Sequence, residues 1–356
     1  QKLGDAEVRI TLIDRNDYHT FQPLLYQVAT AELGPEEVAY PLRELQRRHH
    51  HLTLHTDDVL NIDLPNKKVT TSALGDVDYD YLVIALGSVV NFFGTEGAAD
   101  HAFPLYTMHD ALRVKSHLLK TFEAVDKQPA LADDGALNVC IVGGGPTGVE
   151  MAGALADLIF VEFRKDYPSV PIDKAQVMLY EHAPTLLRMF KPELQTYAEQ
   201  ELKERGVKVQ TGCGVAKIGP DSITLSSGEV VKTRTLIWAA GLEANPVTSS
   251  LGVELVRGGR IPVGPDLQVT GFPGVFAVGD IAAMTDGKTG EVLPGLGATA
   301  LQAGKHAGTA ISDLVLGNIP APFKYLDKGS MAQVGRGAAI AELPTGGTMT
   351  GHVAWM

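Results

Sequence analysis

Residues 143–150 read GGGPTGVE, with glycines at 143, 145 and 148 directly after the apolar run Asn138–Val142. This is G-x-G-x-x-G spacing, and each glycine has a separate use at a pyrophosphate. Gly143 permits the tight turn, Gly145 lets the backbone approach the phosphates, and Gly148 lets the following helix pack close to the strand. Pro146 suits a first helical turn, where no N–H bond is lost. The free N–H groups and dipole of such a helix attract phosphate. A purely structural glycine turn is the plain alternative; a strand before the loop and a helix after it favour a dinucleotide. Glu181 closes the segment QVMLYE, and a carboxylate there can bind both ribose hydroxyls of NAD while repelling the extra phosphate of NADP. It lies 33 positions after Gly148, where about 20 is usual. The polar insert FRKDYPSVPIDKA accounts for the surplus.

A second acid has the same setting. EVRITLIDR is an apolar strand closing on Asp14, like QVMLYE closing on Glu181. In a dinucleotide fold that is the second strand, so its own strand and glycine loop are expected about 20 residues earlier, ahead of residue 1. Asp14 is thus a candidate for the adenosine ribose of a second nucleotide, against the alternative of a turn aspartate. Further along, GVFAVGDIA places Asp280 after a strand, where carboxylate and backbone N–H can reach a flavin's ribityl and phosphate region.

The elements that must position these residues follow an α/β pattern. Strands are expected at Val8–Ile13, Tyr81–Ala85, Asn138–Val142, Gln176–Tyr180, Thr235–Ala239 and Gly274–Val278. Helices are expected at Pro146–Lys165, Pro192–Glu204 and Leu296–Leu316. VTTSALGDVDY and SITLSSGEVVKT read as antiparallel hairpins, each followed by an apolar strand ending in glycine, YLVIALG and TLIWAAG. The repetition points to two copies of a nucleotide-binding domain, and KQPALADDG is a polar connector opening the second.

At 356 residues the chain is long enough for about two domains. Its 45% hydrophobic and 20% charged content is ordinary for a globular protein. The net charge of −12 argues against nucleic acid as a partner. No window of 18 residues is apolar and uncharged, so no spanning helix is expected. Cys140 and Cys213 make no disulfide framework, and a cytoplasmic compartment is the default. Cys140 sits inside a strand and reads as a core residue. His49–His51 are consecutive, which suits an exposed turn better than a metal site.

Taken together, these residues resemble the two-dinucleotide-binding-domain flavoproteins, and most closely the type II NADH dehydrogenases, single-subunit NADH:quinone oxidoreductases. The motifs are LIDR at 12–15, FQPLLYQVAT at 21–30, GGGPTGVE at 143–150, LIWAAG at 236–241, VFAVGD at 275–280, LPGLGATALQAGK at 293–305 and FKYLDKGSMAQVGR at 323–336. They cover nearly the whole chain. The resemblance implies two Rossmann-like domains, the NAD domain inserted in the FAD domain. The expected division is 1–107 with 244–318 for FAD, 108–243 for NADH, and 319–356 as a C-terminal segment. It implies that Asp14 holds the FAD ribose with Arg15 beside it, that Val59 faces adenine, that Ala85 and Gly87 line the FAD loop, and that Asp280 serves the ribityl-phosphate side. Gly143, Gly145, Gly148 and Glu181 would hold NADH, and Ala240 and Gly241 its nicotinamide end. Glu150 resembles the carboxylate implicated in proton delivery, and Gln302 would bond near the flavin–quinone junction.

The implied reaction is hydride transfer from NADH to FAD, then two electrons to menaquinone or ubiquinone, without proton pumping. The implied place is the cytoplasmic face of the cell membrane, peripherally, through a C-terminal region beyond residue 356; a homodimer is compatible with it. One internal departure concerns the acceptor: where the family reads A-Q-x-A-x-Q, this chain has Ala298 in place of the first glutamine. A demethylnaphthoquinone-type biosynthetic reductase, an oxygen-reducing oxidase, and a non-catalytic NAD-binding partner protein are therefore kept as alternatives. Disulfide reductases are disfavoured, because HTFQPLLYQVAT has no cysteine where they carry a pair.

Overall fold

A computed structural model describes residues 8–356. The chain is α/β and divides into two compact units. The first takes the described residues up to Thr20, then Ala39–Val89 and Leu242–Leu326; the second takes Phe21–Val38, Val90–Gly241 and Asp327–Met356. The long central piece of the second unit is thus inserted between Val89 and Leu242 of the first.

The second unit is built on a five-stranded parallel sheet, in the order Phe103–Pro104, Thr235–Trp238, Asn138–Val142, Gln176–Glu181, Val207–Thr211. Asn138–Val142 lies at its centre, and Val139, Cys140 and Ile141 are buried, as expected for a parallel strand covered on both faces. The helix Met108–Lys127 begins with a capping box, Thr107 and Asp110 each bonding the other's backbone N–H. It buries Met108, Ala111, Val114, Leu118, Phe122 and Val125 along one stripe. The expected helix at 146–165 divides. Its α-helical part is Pro146–Asp157, followed by a π-helical turn, Leu158–Glu162, and a short helix, Phe163–Asp166. Phe163 there packs on Phe122 and Tyr167.

The first unit pairs Ile10–Asp14 in parallel with Leu52–Thr56, and Leu82–Ile84 in parallel with Val275–Ala277. Its core gathers Ile84, Phe276, Ile281, Ala303 and Ala307, the last two from the helix Gly297–Val315. Both expected hairpins are antiparallel, one in each unit.

The units depart from the expected boundaries. FQPLLYQVAT belongs to the second unit, because its helix Leu25–Ala29 packs on Met108–Lys127 and on Pro146–Asp157. Residues 90–107 join it too. The C-terminal segment divides after Leu326, because the strand Ser330–Gly335 lies on the helix Pro146–Asp157. Gly153 makes that approach feasible: a Cβ there would lie 2.2 Å from the Val334 carbonyl oxygen.

Candidate active site

In the second unit the glycine loop has three different constraints. Gly143 takes φ +113°, which favours glycine, and a Cβ on it would lie 2.7 Å from the Ala239 carbonyl oxygen. At Gly148 a Cβ would lie 1.8 Å from the Gly143 carbonyl oxygen, so helix and turn touch backbone to backbone. At Gly145 a Cβ would meet nothing within 4 Å. That glycine therefore faces open space beside a helix N-terminus that no side chain caps. Free N–H groups and room for a close approach are what a pyrophosphate requires.

Glu181 ends its strand against this loop. Its carboxylate accepts N–H bonds from Gly144 at 2.5 Å and from Ala183 at 2.7 Å. Gly144 lies outside the G-x-G-x-x-G glycines, yet a Cβ on it would run into Leu186 and the Glu181 side chain. Gly241 takes φ +69°, and a Cβ there would strike the Phe93 ring and the Asn91 carbonyl. Asn91 in turn donates its N–H to the Gly241 carbonyl and accepts from the Trp238 indole. This turn sets the course of the backbone at Ala240 and Gly241.

Glu150 sits one turn into the loop's helix and points at the C-terminal strand. The Gln333 N–H donates to its carboxylate at 3.4 Å, a long bond. Burial pushes the Glu150 carboxyl up to about 8, and the Gln333 N–H works the other way. Tyr26 donates its hydroxyl to the Gln333 side-chain oxygen at 3.1 Å. Local sequence gives neither Tyr26 nor Gln333 a role, although they lie in FQPLLYQVAT and FKYLDKGSMAQVGR.

In the first unit, Asp14 accepts the Asn16 N–H, and Arg15 pairs with Asp58 at the surface. Val59 is half-buried in a hairpin strand, Ala85 is exposed, and Gly87 takes φ +66°. Asp280 borders a small cavity with Arg260, Gly279, Gly295, Leu296 and Thr299. Burial raises its carboxyl, and Arg260 opposes this. A Cβ at Gly295 would lie 2.8 Å from an Asp280 carboxylate oxygen. The Thr299 hydroxyl is buried with no hydrogen-bond partner, an orphaned polar atom in the wall of this cavity. An acid, a cation, glycine backbone and a waiting hydroxyl fit a flavin's polar chain.

Gln302 is held by backbone on the helix Gly297–Val315. Its amide is committed to backbone: it donates to the Leu326 carbonyl at 3.0 Å and accepts the Leu326 N–H at 2.9 Å. It clasps the segment running to Leu326, and its side-chain oxygen keeps a second lone pair beyond the Leu326 N–H. Cys140 and Cys213 are both buried and free, and burial pushes the Cys140 thiol up to about 12, consistent with a core residue. His49–His51 are exposed, in the turn before Leu52.

The family model for pyridine nucleotide-disulphide oxidoreductases matches residues 1–306. A type II NADH:quinone oxidoreductase of Mycobacterium tuberculosis is 35% identical, over 100% of this chain and 79% of its own length. The chain belongs to the type II NADH:quinone oxidoreductase family. Other family members from Haemophilus influenzae and Staphylococcus aureus are 30% and 31% identical, over 96% and 94% of this chain and 82% of each relative. The fold matches a solved structure of NDH2 from Plasmodium falciparum in complex with NADH, with a TM-score of 0.87 at 20% identity, covering 98% of this chain and 88% of that one. As a family member the protein is an oxidoreductase enzyme, with two Rossmann-type domains and with FAD and a nicotinamide dinucleotide as the family's cofactors.

Proposed function

We propose that this family member oxidises NADH through FAD and reduces a membrane quinone, menaquinone or ubiquinone, without moving protons across the membrane. The observation that carries the dinucleotide half is the Glu181 carboxylate fixed against the glycine loop, 2.5 Å from the Gly144 N–H. An anion there accepts ribose hydroxyls and repels a 2′-phosphate, so NADH is favoured over NADPH. The second unit is the NADH domain and the first the FAD domain, with Asp14, Arg15, Val59, Ala85, Gly87 and Asp280 as its contacts.

The redox chemistry, hydride acceptance from NADH and two-electron delivery to the quinone, would be supplied by FAD held by those residues of the first unit. The residues of this chain bind, orient and manage protons. Gly143, Gly145, Gly148 and the helix N-terminus hold the pyrophosphate, and Ala240 and Gly241 border the nicotinamide end. Glu150 stores a proton on its carboxyl near neutral pH, which suits a group that must both take up and release one. Gln302 acts by fixing the segment at Leu326.

Among the described residues no helix is long and apolar enough to cross a membrane. The family resemblance implies a peripheral place at the cytoplasmic membrane face, and a homodimer is compatible with it. Ala298 in place of the family glutamine supports a second reading in which the acceptor is oxygen or a biosynthetic naphthoquinone.

Steady-state NADH oxidation of the FAD-loaded protein with a menaquinone analogue, a ubiquinone analogue, oxygen and ferricyanide separates these readings. Quinone turnover exceeding oxygen turnover at least tenfold supports the proposal. Oxygen turnover that matches or exceeds quinone turnover favours the second reading, and ferricyanide turnover shows that the flavin is reduced.

A further inference from the structure

Tyr26 is only 4% exposed, on the short helix Leu25–Ala29. Its hydroxyl donates to the Gln333 side-chain oxygen at 3.1 Å. A buried hydroxyl stripped of its partner would carry a full desolvation penalty, so this bond fixes where the Gln333 side chain lies. Gln333 belongs to the strand Ser330–Gly335, which Gly153 admits onto the helix carrying Glu150. The strand is irregular between Gln333 and Gly335, and such bulges re-aim the backbone. Here the Gln333 N–H is aimed at the Glu150 carboxylate, 3.4 Å away. One residue thus bonds Tyr26 through its side chain and Glu150 through its backbone.

We propose that Tyr26 and Gln333 are positioning residues for Glu150: the tyrosine anchors the glutamine, and the glutamine sets how firmly the carboxylate is held. The proposal rests on the reading of Glu150 given above and names the groups that tune it. Among the described residues, the nearby cations are engaged elsewhere. On the surrounding elements, Arg205 pairs with Asp157 and Glu201, and the Arg336 N–H bonds Asp157 while its side chain reaches Glu162. Glu32, just beyond the Tyr26 helix, is itself shifted up by burial first. Glu181 is occupied at the glycine loop. The Gln333 N–H is left as the neighbour that stabilises the charged form of Glu150 against burial. Tyr26 is also held well above the usual phenol range, by burial first and the Glu150 charge second. It therefore stays a hydrogen-bond donor wherever Glu150 titrates.

The test is an infrared titration of the carboxyl band that disappears in Glu150→Gln, recorded on FAD-loaded protein without turnover. It is repeated in Tyr26→Phe and in Gln333→Leu, which keeps the backbone N–H but loses the anchor. Both variants should raise the proton affinity of Glu150 by roughly threefold or more. The matching limb of the kcat–pH profile should move with it, while KM for NADH stays within about twofold. If one variant does not fold, the other decides. An unmoved band in the folded variants overturns the proposal even if Glu150→Gln abolishes that limb. If Glu150→Gln leaves turnover and its pH profile unchanged, the reading of Glu150 fails and the proposal with it.

Discussion

Gly148 lies directly under the Gly143 carbonyl: a Cβ at Gly148 would sit 1.8 Å from that oxygen. Gly148→Ala must therefore prise the helix from the turn. It should cost about 1–3 kcal/mol of stability, as overpacking does, and weaken NADH binding. Gly145→Ala is the informative contrast. Its Cβ meets no protein atom and its φ of −75° suits alanine, so stability should hold within about 0.5 kcal/mol. NADH affinity should still fall, on the order of tenfold, because the methyl occupies the phosphate approach. Thermal unfolding and calorimetric titration read the two effects separately. Equal destabilisation by both alanines would contradict the assignment.

Glu181 sets cofactor choice. Glu181→Gln keeps the shape of the side chain and removes the charge that repels a 2′-phosphate. The ratio of kcat/KM for NADH over NADPH should fall about tenfold or more, equivalent to about 1.4 kcal/mol. An unchanged ratio would mean that the carboxylate serves only to brace the Gly144 and Ala183 N–H groups.

Glu150 gives stability a pH dependence. Its ordinary value is 4.5, and burial raises it to about 8 in the folded protein. The folded state therefore binds this proton more tightly than the unfolded chain. The associated stability is fully present below about 4.5 and is lost as pH rises through about 8. Glu150→Gln should flatten that decline and be relatively more stable than the parent at the alkaline end. Urea unfolding midpoints across the range test this, and parallel curves for the two proteins would refute it.

Gln302 is a structural clasp in this fold. Gln302→Leu would leave the N–H and carbonyl of Leu326 without their side-chain partner. Both bonds are open to water, so the expected loss is only about 0.5–1.5 kcal/mol, and hydrogen exchange at the Leu326 amide should speed up.

Much of this was legible in the sequence because the signals are local. Asn138–Val142 and Pro192–Glu204 form with the expected ends, one from a buried apolar run before glycines, the other from its proline start. The helix Met108–Lys127 is written locally as well, in the Thr107–Asp110 capping box and a helical apolar stripe. The Tyr26–Gln333 bond was out of reach for a different reason. It joins residues 307 positions apart, and no local pattern encodes such a meeting. The same limit applies to Gln302. Its place in a motif locates the residue, but only folding shows its amide bonded to Leu326. The boundaries moved because FQPLLYQVAT packs by its apolar face, with Leu25, Tyr26, Val28 and Ala29 buried, and not by its place in the chain.

The account stands most directly on an anaerobic titration of the FAD-loaded protein followed by its flavin absorbance. NADH should bleach the band at one equivalent per flavin, and a soluble quinone analogue should restore it. NADPH should do so far more slowly. A flavin band that NADH leaves unchanged, or that a quinone cannot restore, would contradict the proposed function.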